Sequence, residues 1–192
     1  MKKKGLALVL ALTLLVVGIV AGTLAWLTAT SDTVTNTFTT SDIKVELTET
    51  NETYKMIPGY DIHKDPKAKV LAGSEECFLF VKLEKSQNFN SFLTYEMADG
   101  WAQLTKDKNG SDITDLVYYR KVETADIGTA YSVLKGDKVT VKGAVTSKEM
   151  MNAIDAGTAA KPTLTVTAYA SQLNKNATTE FTVAEAWANV KP

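Results

Sequence analysis

The stretch Cys77-Phe78-Leu79-Phe80-Val81-Lys82-Leu83 decides how this chain is read. Aromatic and aliphatic residues fill it, and the only charge is Lys82. A short run this apolar, bounded by the break Ala72-Gly73-Ser74, is the pattern of a strand buried on both faces. It is therefore expected at the centre of a sheet.

Working outward, the neighbouring segments alternate in a way that a half-covered sheet requires. In Asp42–Thr48, Ile43, Val45 and Leu47 alternate with Lys44 and Glu46. In Thr163–Ala170, Leu164, Val166 and Ala168 fall on one side. Period-two alternation puts one set of side chains on the core and the other in solvent. Thr33–Phe38, Trp101–Thr105, Asp115–Val122 and Lys138–Lys142 are further strand candidates, rich in β-favouring types. Pro58-Gly59 and Lys106–Ser111 are turn signals. The polar link Thr39-Thr40-Ser41 leaves room for the chain to switch faces.

Three segments carry helical signals. Phe89, Phe92, Leu93 and Met97 have helical spacing within Asn88–Met97, and Asp99-Gly100 would stop such a helix. Thr146-Ser147-Lys148-Glu149 and Thr182-Val183-Ala184-Glu185 are both capping boxes, in which the Thr hydroxyl and the Glu carboxylate each satisfy a free backbone N–H. The first predicts a helix to Ala156, ended by Gly157. The second predicts a last helix with Ala184, Trp187 and Ala188 on one face. Many short strands with short helices make the fold class all-β, a β-sandwich, with a jelly roll as the favoured variant.

The front of the chain has a different composition. Met1-Lys2-Lys3-Lys4 precedes an uninterrupted run of apolar and small residues from Gly5 to Leu27. A basic segment followed by an apolar one is the layout of a secretory signal. Small side chains are needed at the −3 and −1 subsites of signal peptidase, and Thr23 and Ala25 supply them. The expected cut falls between Ala25 and Trp26, leaving residues 26–192 as one domain of ordinary size. The alternative is a retained anchor, since the run is long enough to span a bilayer. In that case the uncleaved segment is the chain's one membrane contact. Either way the domain lies outside the cytoplasm, secreted or at the cell surface.

Loss of the three lysines takes the formal net charge from −1 to −4. A mildly acidic, mixed surface argues against nucleic acid as a partner, because phosphate backbones demand a basic face. The single cysteine, Cys77, excludes an intramolecular disulfide. Its apolar neighbours point to a small core residue. So few cysteines in an exported chain fit a Gram-positive bacterium better than a disulfide-stabilised secretory protein.

Three blocks of sequence together resemble the TasA/camelysin family of exported bacterial proteins. The first is Ala21-Gly22-Thr23-Leu24-Ala25-Trp26-Leu27 with Thr35-Asn36-Thr37-Phe38 and Ile43-Lys44-Val45. The second is Pro58-Gly59, Lys64-Asp65-Pro66, Ala72-Gly73-Ser74-Glu75 and Phe80-Val81-Lys82. The third is Thr167-Ala168-Tyr169-Ala170-Ser171-Gln172 followed by Ala184-Glu185-Ala186-Trp187. The stretch from Asn88 to Ala160 carries no motif of the family.

The resemblance implies a jelly-roll domain exported through a dedicated signal peptidase. It further implies a structural subunit of biofilm-matrix fibres, in which the N-terminal strand of one copy completes the sheet of its neighbour. The implied partners are further copies of the chain and an accessory fibre-starter protein. Trp26–Thr40 suits a donated strand: it is threonine-rich, its only charge is Asp32, and it lacks proline and glycine. Val34 and Phe38 would be its anchors. Pairing of this segment within its own domain is the other reading of the same residues.

Catalytic chemistry finds little support. Camelysin is a metal-dependent protease, but the helical H-E-x-x-H zinc motif needs two histidines and the chain has one, His63. His63 lies among turn and charged residues, where nothing in the sequence activates it. Asp107–Asp112 superficially looks like a calcium loop, yet the twelfth position is Tyr118 where a bidentate Glu is required; a hairpin turn is the better reading. No cofactor is expected. A glycan- or protein-binding module is the remaining alternative, with Trp101, Tyr118 or Tyr119 as an aromatic platform.

Overall fold

The computed structural model describes residues 42–51, 54–155 and 161–191, all within one compact unit, Thr40–Pro192. The segment 1–41, with the expected strand Thr33–Phe38, lies outside the described residues. The unit is all-β: antiparallel sheets with three short helices. Among the described residues no helix is long and apolar enough to cross a membrane.

The chain runs through β1 (Val45–Thr48), β2 (Asp61–His63), β3 (Lys67–Val70) and β4 (Cys77–Lys85). Helix α1 (Phe89–Phe92), β5 (Leu93–Thr94), β6 (Ala102–Lys106), β7 (Asp112–Val122), β8 (Ala130–Ser132) and β9 (Lys138–Val141) follow. The last elements are α2 (Ser147–Asp155), β10 (Leu164–Gln172), β11 (Asn174–Asn176), β12 (Thr179–Glu180) and α3 (Val183–Val190). They form a four-stranded sheet in the order β10-β4-β7-β6, two three-stranded sheets ordered β1-β3-β8 and β2-β9-β5, and a β11-β12 hairpin.

The apolar run 77–83 is central, as its composition required, with β10 on one side and β7 on the other. Cys77, Leu79, Val81 and Leu83 face one core, together with Ala68, Val70, Leu93, Val139 and Val141 from the three-stranded sheets. Phe78 and Phe80 face a second, smaller core with Leu104, Val117, Ala186 and Trp187. The sheet is thus buried on both faces. Full burial of a side chain of this size contributes about 1.5–3 kcal/mol. Lys82 shares the Phe80 face and is held by Glu84 at 3.1 Å and Asp115 at 3.7 Å.

Helix α3 covers the second core. Its capping box is complete: Thr182 Oγ1 accepts from the Glu185 N–H at 3.3 Å, and the Glu185 carboxylate accepts from the Thr182 N–H at 2.9 Å. The buried face differs from the expected one. Ala186 and Trp187 are buried and Ala188 is exposed, because the helix rolls Trp187 onto Phe80 and Tyr169, each with ring centroids at 5.3 Å. The Thr146–Glu149 box also closes and begins α2; the expected end at Ala156 and Gly157 lies outside the described residues.

The helix expected over Asn88–Met97 is a single turn. Leu93 and Thr94 leave it to pair with Val141 and Thr140 of β9, and the sheet hydrogen bonds outweigh the local helical spacing. The Lys106–Ser111 link is a tight turn, with Asp107 Oδ1 accepting the N–H groups of Asn109 and Ser111, both at 2.8 Å.

Candidate functional site

The expected cleavage residues Ala25 and Trp26 and the expected anchors Val34 and Phe38 lie outside the described residues. The described residues do include the sheet edges.

Each sheet has two edges, and an unpaired edge offers its N–H and C=O groups to any other strand. Most edges here carry features that discourage pairing. β6 has an irregular register between Leu104 and Lys106 and ends in a lysine. β1 carries Glu46 and β2 carries Asp61, while β5 and β8 have two and three residues. β10 has none of these protections. Its nine residues, Leu-Thr-Val-Thr-Ala-Tyr-Ala-Ser-Gln, contain no charge, proline or glycine. It pairs with β4 along its whole length, and it has no strand on its other side among the described residues.

The apolar alternation at Leu164, Val166 and Ala168 was legible from the sequence, and Ala170 continues it on the same face. The structure adds that all four are only half-buried although they face the larger core. Strand β1 also comes close to β10 at this edge, and the four side chains stay partly accessible.

A cleft of about 870 Å³ opens at the start of this edge. One wall is Pro162, Thr163, Leu164 and Thr165; the other is Ile62, Leu93 and Val139 from the sheet β2-β9-β5, with Phe89 and the segment Tyr54–Ile57. Ile57 is 53% exposed. Among the described residues three lysines line the cleft, Lys55, Lys64 and Lys161, and no aspartate or glutamate does. Lys64 is engaged by Glu49, with Nζ 2.7 Å from Oε1. Lys55 and Lys161 are exposed and form no ion pair among the described residues. Sequence reasoning missed Lys55, Met56, Ile57 and Lys161, since no periodic signal joins residues so far apart along the chain.

The other residues singled out from the sequence are dispersed. His63 ends the short strand β2, where a loop was expected. Its ring is exposed, with Nε2 3.7 Å from an Asp65 carboxylate oxygen. That carboxylate already accepts from the Thr50 hydroxyl at 2.6 Å and the Thr50 N–H at 3.0 Å, which hold it below the usual carboxylate range. Cys77 is fully buried, and burial pushes its thiol up to about 11. Trp101, Tyr118 and Tyr119 make no shared platform. Trp101 and Tyr118 pack half-buried against the larger core, and Tyr119 packs against the smaller one on the opposite sheet face.

Comparison of the chain with protein families, with curated proteins and with solved structures finds no match.

Proposed function

We propose that this chain is an exported structural subunit of extracellular fibres, and that it assembles by donating its N-terminal strand to a neighbouring copy. The observation that carries the reading is the edge of β10: nine uncharged residues with no strand on their outer side among the described residues, and with Leu164, Val166 and Ala168 only half-buried. An added strand there would satisfy the open backbone groups and bury Leu164, Val166 and Ala168, the physical basis of strand donation. The segment Trp26–Thr40 has the composition for it, and the resemblance to the TasA/camelysin family points the same way. On this reading the domain is a jelly roll, the first 25 residues are a signal removed during export, and the partners are further copies with an accessory starter. The protein acts as a scaffold and not as an enzyme.

The test is electron microscopy of the mature protein over a range of concentrations, with Phe38→Ala beside the wild type. Truncating a buried Phe costs about 3–5 kcal/mol, and about 1.4 kcal/mol is a tenfold change in affinity. The variant is expected to lose filaments while keeping the melting temperature of the monomer. A strongly destabilised monomer, with no filaments from the wild type at any concentration, would reject strand donation.

A further inference from the structure

The fibre reading leaves one feature of the donated segment unexplained. In an extended strand Asp32, Val34, Asn36 and Phe38 share a face, since side chains alternate with period two. The single charge of Trp26–Thr40 is therefore on the same face as its apolar anchors. A carboxylate carried toward a core is costly unless a cation meets it.

The cleft beside β10 supplies such cations. Aspartate and glutamate together outnumber lysine and arginine in the chain, 22 to 21, yet among the described residues three lysines and no carboxylate line this cleft. Lys64 is taken by Glu49, while Lys55 and Lys161 are exposed and without an ion pair among the described residues. Along an extended strand Asp32 and Phe38 are roughly 20 Å apart. With Asp32 at the exposed lysines, Phe38 falls well along the β10 edge.

Resting on the fibre reading, we infer that Lys55 and Lys161 of one copy pair with Asp32 of the segment donated by the next, and so set the register in which that segment adds to β10. A shift by one residue would turn Val34 and Phe38 away from the larger core; a shift by two would keep them inward but separate Asp32 from the lysines. Strand pairing and apolar burial supply most of the affinity, and the ion pair selects the register and speeds docking.

The test uses the full mature chain, immobilised, and fluorescent peptides covering residues 26–41. Peptide substitutions leave the fold of the protein untouched. The wild-type peptide is expected to bind and the Phe38→Ala peptide to lose binding. The Asp32→Asn peptide is expected to bind roughly fivefold more weakly at low salt, the upper range for a solvent-accessible ion pair, with the difference fading at 1 M salt. The Asp32→Lys peptide should bind worse still, and recover on a Lys55→Glu/Lys161→Glu protein. If Asp32→Asn binds as well as wild type at every salt concentration while Phe38→Ala fails, the lysine pairing is wrong and strand donation stands. If the wild-type peptide does not bind at all, both fall.

Discussion

The guanidinium carbon of Arg120 lies 3.5 Å from the centroid of the Tyr131 ring. Arg120 belongs to β7 in the central sheet and Tyr131 to β8 in the sheet β1-β3-β8, so one cation–π contact joins the two layers. The Trp101 ring is 5.3 Å from the same carbon, and its indole N–H donates to the Ser132 carbonyl at 2.9 Å. A planar, always charged group suits such a stack better than an ammonium does. Arg120→Lys is expected to cost about 1 kcal/mol, seen as a melting temperature lowered by about 2–4 °C. Gly100→Ala should act on the same cluster. Gly100 has φ +85°, and an added Cβ would meet the Arg120 guanidinium at 2.8 Å. An unchanged melting temperature in both variants would show that the stack carries no stability.

The second core depends on one side chain from the last helix. Trp187 is 3% exposed and touches Phe80 and Tyr169. Trp187→Ala is expected to cost about 3–5 kcal/mol. It should also unseat α3 and expose Phe78 and Phe80, giving increased binding of a hydrophobic dye such as ANS. Denaturant titration with dye fluorescence measures both; destabilisation without dye binding would mean that the helix stays seated by its caps alone.

Acid should act on the same helix through Glu185. The Lys175 ammonium 2.6 Å away, then the N–H and hydroxyl of Thr182, hold its carboxyl down from 4.5 to about 2. A carboxylate lowered on folding contributes stability that is complete above the unfolded value and is lost as pH falls through the folded one. The wild type should therefore lose this contribution between about pH 4.5 and about pH 2. Glu185→Gln should be less stable above that window and flatter across it. Thr182→Ala removes the N-cap and should cost about 1 kcal/mol at neutral pH. Melting temperatures of the three proteins over pH 2–7 decide this, with the difference curves separating Glu185 from other titrating carboxylates.

Cys77 is expected to be chemically silent in the native state. It is fully buried on β4, and a thiol raised to about 11 holds almost no thiolate at pH 8. A thiol reagent such as DTNB should leave the folded protein unmodified and react fully once denaturant is added. Rapid native reaction would mean that the larger core opens at β4 and would put the burial account in doubt.

The sequence by itself determined the elements whose signals are local. Cys77–Leu83 announced a central strand because no solvent-facing alternation interrupts it, and both capping boxes announced the starts of α2 and α3 because every partner lies within four residues. The alternation of Leu164, Val166 and Ala168 announced β10. The basic-then-apolar order of Lys2–Leu27 is a fact of composition, while the export and the donor role of Val34 and Phe38 belong to the proposal built on it and on the resemblance.

Tertiary structure decided whatever depends on a distant partner. Leu93 and Thr94 become strand because β9 comes alongside, against their own helical spacing. The roll of α3 that buries Ala186 in place of Ala188 depends on where Phe80 and Tyr169 stand. Above all, nothing local marks β10 as an edge with no further strand beside it among the described residues. Edge status is a property of strand order, and that order is set by which apolar faces bury most surface against one another. The lysine-lined cleft follows for the same reason, because Lys55 and Lys161 are over a hundred residues apart and share one cleft only once the layers have packed.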